Sequence, residues 1–260
     1  MASVAKPTFV LVPGAWCPAV YYEKVVALLK SKGYEAIAID SLSVGRKDNQ
    51  PPATAYDDAN HVRETVIPIL DAGTNVILVG NSYGCFISCE SAKGLSKKDR
   101  EAEGKKGAVT HLILNNFVLP TKGSTVGQLV GPHIPMPTDV DISDPYLSPI
   151  GGDPSFGAVL LFGDASEESM KYVAMVQPHS AASFADPLTW EAYEGIETTV
   201  MIGEKDLALS PEVQSKAVDD AVVKGGKIRK VILEGGAHVP MIGQAEAFVK
   251  ILTDVASNMY

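Results

Sequence analysis

Short apolar runs rich in β-branched residues recur along the chain, at Thr8 to Val12, Tyr34 to Ile39, Asn75 to Gly80, His111 to Asn115, Thr198 to Ile202 and Ile228 to Leu233. Between them lie amphipathic stretches whose ends carry helix signals. These predict helices over Tyr22 to Lys32, closed by Gly33, and over Tyr56 to Leu70, followed by Asp71-Ala72-Gly73. Others follow directly after Ser82, then over Pro211 to Lys224, with proline in the first turn and Gly225-Gly226 after it, and over Gln244 to Ala256. Apolar strands alternating with helices predict an α/β architecture: a mostly parallel sheet of about six strands with helices on both faces. The first run starts so near the beginning of the sequence that no antiparallel hairpin is expected ahead of it.

Two segments break this rhythm. Ser96 to Gly107 is dense in Lys, Asp, Glu, Arg and Gly and reads as a solvated loop or helix end. From Leu119 to Gly195 the chain carries most of its prolines, among them Pro132, Pro135, Pro137, Pro145, Pro149 and Pro154, beside apolar Met136, Phe156, Leu161 and Phe162. A connection of that length in a compact domain is characteristically a lid or binding loop. Residues 119–195 are therefore expected to form a cap inserted into a core made of residues 1–118 and 196–260. Within the cap, Asp164 followed by Glu167 resembles a capping box, and Met170, Val173, Ala174 and Gln177 continue at helical spacing up to Pro178.

Composition narrows the partners. With 46% hydrophobic residues, 260 residues can bury a core without disulfides or metals. A formal charge of −9 and scattered lysines leave no basic patch for nucleic acid. Met1 to Pro7 lacks the charged head and long apolar stretch of a secretory leader, and no apolar run approaches the ~20 residues that span a bilayer. The expectation is a cytoplasmic protein without a membrane partner; the pattern leaves a homodimer open. The three cysteines, Cys17, Cys85 and Cys89, have no C-x-x-C spacing and read as core residues. Neither they nor the five histidines show metal-site spacing, so neither a metal nor another cofactor is expected.

The candidate chemistry begins at Asn75 to Ile87, which reads as a buried strand, then Gly80-Asn81-Ser82-Tyr83-Gly84, then a helix. G-x-S-x-G alone is a common pattern; at a strand-to-helix junction it has a mechanical meaning. A turn that sharp strains the serine, needs glycines where side chains would collide, and presents Oγ at the carboxyl edge of the sheet over a helix N-terminus. A serine hydroxyl needs a base, and the base needs a group that fixes its tautomer. His238, in Glu234-Gly235-Gly236-Ala237-His238-Val239-Pro240, follows the last strand at the same sheet edge. His61 lies in a helix and His111 opens a strand, both structural positions, and His133 and His179 fall in the cap, as substrate-side groups at most. For the acid, Asp206 follows the strand at Thr198 to Ile202, with Glu204 as its nearest competitor. The alternative position after the strand at His111 holds Asn115 and Asn116, which offer no carboxylate. The first strand runs into Pro13-Gly14-Ala15-Trp16, so the backbone N–H groups of Ala15 and Tyr83 are the expected oxyanion hole.

These motifs resemble the small, cofactor-free α/β-hydrolases that include plant methyl esterases, hydroxynitrile lyases and microbial esterases. The resemblance spans nearly every element. It rests on Pro13-Gly14-Ala15-Trp16, Gly33-Tyr34, Gly80 to Gly84, Gln177-Pro178, Phe184 to Trp190, Gly203 to Asp206 and Gly236 to Pro240, with wording most similar to fungal members. It implies the α/β-hydrolase fold and the chain order Ser, Asp, His. Hydroxynitrile lyases of the group carry threonine in the oxyanion turn and lysine after the histidine, where this chain has Gly14 and Val239, so cyanohydrin cleavage is disfavoured. Dehalogenases and epoxide hydrolases of the fold need an aspartate nucleophile, and position 82 is serine. Pro13 and Cys85 stand where histidine and glycine are commoner.

The expected activity is hydrolysis of a small ester or lactone through an acyl-enzyme. The alternatives are C–C cleavage or ring closure on the same triad, and a ligand receptor with little turnover. Trp16, Met136, Phe162, Tyr172, Phe184 and Val239 are the candidate contacts for a small, apolar or aromatic substrate.

Overall fold

The computed structural model describes residues 6–47, 49–133, 144–148 and 153–257. Met136, with Pro135, Pro137 and Pro149, lies outside the described residues. The strands are β1 (Thr8–Val12), β2 (Ala36–Ala38), β3 (Val76–Asn81), β4 (Val109–Asn115), β5 (Tyr146–Leu147), β6 (His179–Ser180), β7 (Glu197–Gly203) and β8 (Ile228–Leu233). Six of them form one sheet in the order β2-β1-β3-β4-β7-β8, with every pairing parallel. β5 and β6 make a separate antiparallel ribbon.

The helices are α1 (Glu23–Ser31), α2 (Ala55–Asp71), α3 (Tyr83–Ser91), α4 (Lys97–Ala102), α5 (Val126–Val130), α6 (Pro154–Phe162), α7 (Glu167–Val173), α8 (Ala192–Gly195), α9 (Pro211–Val223), α10 (Pro240–Gly243) and α11 (Ala245–Ser257). α2 starts where Thr54 and Asp57 cap each other, and it buries Ala55, Ala59, Val62, Val66 and Leu70, a stripe at spacings of three and four. α11 buries Phe248, Val249, Leu252 and Val255 against the opposite side of the sheet. Two apolar cores result, one under α2 and α3 and the other under α1 and α11. Complete burial of each Leu or Phe stabilises by about 1.5–3 kcal/mol.

The six expected strands and five expected helices are present, with shifts at their ends. The departures are local. In Ser96 to Gly107, Ser96 caps the short helix α4, and Arg100 is 2% exposed. Its Nε donates to Gly107 O at 2.9 Å and Nη2 to Asp71 Oδ1 at 2.7 Å, so one cation of an otherwise solvated run ties α4 to the end of α2. α7 is capped by Ser166, which accepts from Ser169 N–H, rather than by Asp164. Asp164 instead accepts from Ser166 N–H and Ser169 Oγ, bracing the cap from outside the helix. α7 then ends at Val173, short of Gln177.

β1 pairs with β2 on one side and β3 on the other, so successive strands reverse their direction of growth there. Loops leaving the carboxyl ends of β1 and β3 diverge at such a switch point and leave a crevice between them. Trp16 follows β1 and Ser82 follows β3.

Candidate active site

Ser82 stands between β3 and α3 with φ 51° and ψ −123°, a left-handed conformation costly for any residue with a side chain. The surroundings hold it there. A Cβ on Gly84 would lie 2.2 Å from Val12 O and one on Gly80 2.4 Å from Gly84 O, so both glycines let β1, β3 and α3 close on one another. Ser82 N–H donates to Asn115 O at 2.9 Å and Cys85 N–H to Ser82 O at 2.8 Å. The serine side chain is partly exposed, and its Oγ makes no hydrogen bond to another described residue.

His238 and Asp206 are both 4% exposed, and His238 Nδ1 lies 2.9 Å from Asp206 Oδ2 and 3.0 Å from Oδ1. Asp206 Oδ1 also accepts from the N–H groups of Ala208 and Leu209, each at 2.9 Å, and Oδ2 from Gln214 Nε2 at 2.9 Å. A carboxylate so supplied with donors accepts from imidazole Nδ1–H, which leaves the lone pair on Nε2, the tautomer a general base requires. Glu204, the rival acid, is exposed and accepts from Gly235 N–H at 2.8 Å on the outside of the loop.

Two asparagines that sequence reasoning did not single out connect this pair to Ser82. Asn81 Nδ2 donates to His238 O at 2.9 Å. Asn116 Nδ2 donates to Ala237 O at 2.7 Å and His238 O at 3.0 Å, while its Oδ1 accepts from Gly203 N–H at 2.6 Å. Asn116 has φ 54°, a conformation asparagine tolerates better than most residues. The ends of β3, β4 and β7 are thus joined to the His238 loop. The signal for Asn81 was its place inside G-x-S-x-G; Asn116 was noted only as unable to be the acid.

Ala15 and Tyr83 sit at the ends of the two loops that flank the crevice. Neither N–H donates to an acceptor among the described residues. A Cβ on Gly14 would lie 3.2 Å from Ser82 Cβ, which shows how closely the turn after β1 is laid on the Ser82 loop. Tyr83 OH donates to Asp58 Oδ2 at 2.6 Å, and Asp58 Oδ1 accepts from Ser43 N–H at 3.0 Å. Burial raises the Asp58 carboxyl above its ordinary range, opposed by its Ser43 and Tyr83 hydrogen bonds.

The aromatic candidates divide into two groups. Phe184 stacks on Tyr83 at 5.8 Å and meets Trp16 at 6.0 Å between ring centroids. Phe162 and Tyr172 pack with Tyr21 in edge-on contacts of 5.6 to 6.3 Å. Val239 is 2% exposed and donates its N–H to Leu161 O at 2.8 Å. Phe162 and Val239 border a surface cleft of about 660 Å³ that Asp164, Glu204, Asp206 and Glu212 also line. Of the remaining histidines, His61 lies on α2 and His111 on β4, where Nε2 meets Thr199 Oγ1 at 2.9 Å. His133 is exposed in a turn and His179 is fully buried. Cys17, Cys85 and Cys89 are buried free thiols, and burial raises the pKa of each. Among the described residues no group of three or more side chains could hold a metal ion, and no helix is long and apolar enough to cross a membrane.

A sequence model described as the alpha/beta hydrolase family matches residues 9–251. "Alpha/beta hydrolase nvfD" of Aspergillus novofumigatus is 26% identical over 255 residues, covering 97% of this chain and 98% of that protein. Among solved structures, the pyrethroid hydrolase PytH superposes with a TM-score of 0.74 at 21% identity, over 97% of this chain and 98% of that one. Tomato methylketone synthase I, solved with 2-tridecanone, gives 0.74 at 19% identity, over 98% and 99%.

Proposed function

The chain belongs to the alpha/beta hydrolase family, and from that membership we propose that it is a serine hydrolase of small carboxylic esters or lactones, working through an acyl-enzyme. One observation supports the reading: a buried carboxylate takes Nδ1 of His238 and leaves the Nε2 lone pair free to serve as a base, while Ser82 stands strained and partly exposed at the same sheet edge.

In this reading Ser82 Oγ attacks the carbonyl carbon and its proton passes to His238 Nε2. Asp206 stabilises the imidazolium through the Nδ1 hydrogen bond and keeps the ring oriented. The carbonyl oxygen becomes an oxyanion between the N–H groups of Ala15 and Tyr83, which have no acceptor to give up among the described residues. His238 then returns the proton to the leaving alkoxide, and the carbonyl re-forms on Ser82. Water attacks the acyl-enzyme with His238 again as base, releasing the acid.

Residues 119–195 serve as the cap. The ribbon β5–β6 and Phe184 lie beside the turn after β1, and the Phe184 and Trp16 rings favour an apolar or aromatic substrate. The test is covalent labelling by a fluorophosphonate together with turnover of acetyl, butyryl and longer nitrophenyl esters. Ser82→Ala should abolish both and leave the fold unchanged; full activity in that variant would refute the nucleophile. With a turned-over substrate in ¹⁸O-labelled water, label should enter the released carboxylate. Unlabelled product at a useful rate would mean lactonisation, isomerisation or lyase chemistry on the same residues, and tight binding without product would mean a receptor.

A further inference from the structure

The turn that would carry the Ala15 donor is held by residues of the 119–195 segment. Trp16, directly after Ala15, has φ 65°, a conformation that a bulky side chain disfavours and that surrounding contacts must impose. Three contacts do so. Trp16 N–H donates to His179 Nδ1 at 3.3 Å, Trp16 O accepts from Gln177 N–H at 3.0 Å, and the indole N–H donates to Leu147 O at 3.2 Å. All three partners belong to the 119–195 segment, two of them in the ribbon β5–β6.

The tautomer of His179 is settled by its other nitrogen. Ser183 Oγ donates to Ser180 O at 2.8 Å, so at its 2.9 Å contact with His179 Nε2 it accepts, and the proton is on Nε2. Nδ1 is therefore a bare acceptor aimed at the Trp16 amide. The ring is fully buried, edge-on to Tyr83 at 4.7 Å between centroids and to Phe184 at 5.2 Å. It thus touches Trp16, the residue after the expected donor Ala15, and Tyr83, the other expected donor.

We propose that His179 is a positioning residue of the oxyanion hole, fixing the backbone of the turn after β1 so that Ala15 N–H points at the developing oxyanion. The inference rests on the acyl-enzyme reading above. It assigns His179 to the backbone of the site and separates it from the substrate.

The test compares full-length His179→Leu, His179→Asn and Ser183→Ala with the native protein on a nitrophenyl ester and on its thionoester analogue. Leucine keeps bulk but removes the acceptor; asparagine offers Oδ1 near the position of Nδ1. His179→Leu should lower kcat by about 10- to 100-fold, somewhat less than loss of a whole oxyanion donor, with KM nearly unchanged. The native preference for the oxo over the thiono ester should shrink with it, since a displaced donor no longer discriminates oxygen from sulfur. His179→Asn should recover most of kcat. Ser183→Ala, which frees the tautomer without changing the ring, should lower kcat by a few-fold and serves where the leucine variant does not fold. Native kcat in His179→Leu, or native kcat in Ser183→Ala together with no recovery in His179→Asn, would overturn the proposal. Each such outcome beside an inactive Ser82→Ala leaves the acyl-enzyme reading standing, whereas an active Ser82→Ala removes that reading directly.

Discussion

At the scale of single residues, the two candidate acids differ in how many donors converge on them. Glu204 and Asp206 are two positions apart on one loop, and the sequence places both at the right sheet edge. The aspartate faces inward to two backbone amides, Gln214 and His238, while the glutamate faces outward to Gly235 N–H. Asp206→Asn would turn an NH2 toward Gln214 Nε2, setting donor against donor, and toward His238 Nδ1, favouring the proton on Nε2. The expected loss is up to ~10⁴-fold in acylation rate. Glu204→Gln should stay within about threefold of native, as for a surface group that touches no reacting atom. Pre-steady-state release of nitrophenol measures both, and a reversed order would make Glu204 the acid. Asp206, His238 and Ser82 were legible because each follows a strand in a readable motif. Gln214, Asn116 and His179 were not, since an isolated amide or imidazole carries no spacing signal, and Asn116 and His179 Nδ1 meet partners far along the chain.

Elements were legible to the extent that burial imposed a period. β1 and β3 are buried throughout and read as continuous apolar runs, and α2 and α11 show regular apolar stripes. The 119–195 segment resisted because its elements are short and are fixed by capping bonds and side chains rather than by an apolar stripe. Asp164 illustrates this: its bonds to Ser166 and Ser169 brace the helix from two residues before the true cap. The junction of β3 and α3 makes a prediction of its own. A methyl group on Gly84 would stand 2.2 Å from Val12 O and 2.5 Å from Pro13 O, backbone atoms that cannot rotate away. Gly84→Ala must push α3 off the end of β1, displacing Ser82, Tyr83 and the turn after β1 together. The expected result is a loss of about 1–3 kcal/mol in stability and a larger proportional loss of esterase rate. Gly243→Ala, whose added carbon would meet nothing within 4 Å, is the control. Equal urea midpoints and rates in the two variants would show that the elbow has slack the distances deny.

For the whole molecule, two buried imidazoles set the response to acid. Burial lowers His179 from 6.5 to about 3, and burial together with the Arg229 charge lowers His111 to about 4. The first is enclosed by Trp16, Tyr83 and Phe184, with the Asp58 carboxylate beyond the tyrosine; the second has Glu197 Oε2 at 3.9 Å from Nδ1. Because folding depresses these pKa values, the unfolded chain takes up protons first as pH falls through 6.5, and the folded chain follows only near 4 and 3. Stability is therefore full above the unfolded value and declines across that window, by about 1.4 kcal/mol per pH unit for each ring while it remains neutral in the fold. Asp58 works in the opposite sense, since a carboxyl raised by burial is easier to protonate in the folded protein, and it offsets part of the decline. Two rings titrating against one carboxyl leave a net loss of stability, in a domain held together by only ~5–15 kcal/mol. The protein should thus unfold cooperatively in mild acid, before most exposed carboxylates are protonated. Urea midpoints taken from pH 7.5 to 3.5 measure the slope, and the double variant His111→Asn, His179→Asn should flatten it. An undiminished slope in a folded double variant would assign acid unfolding to the carboxylates instead.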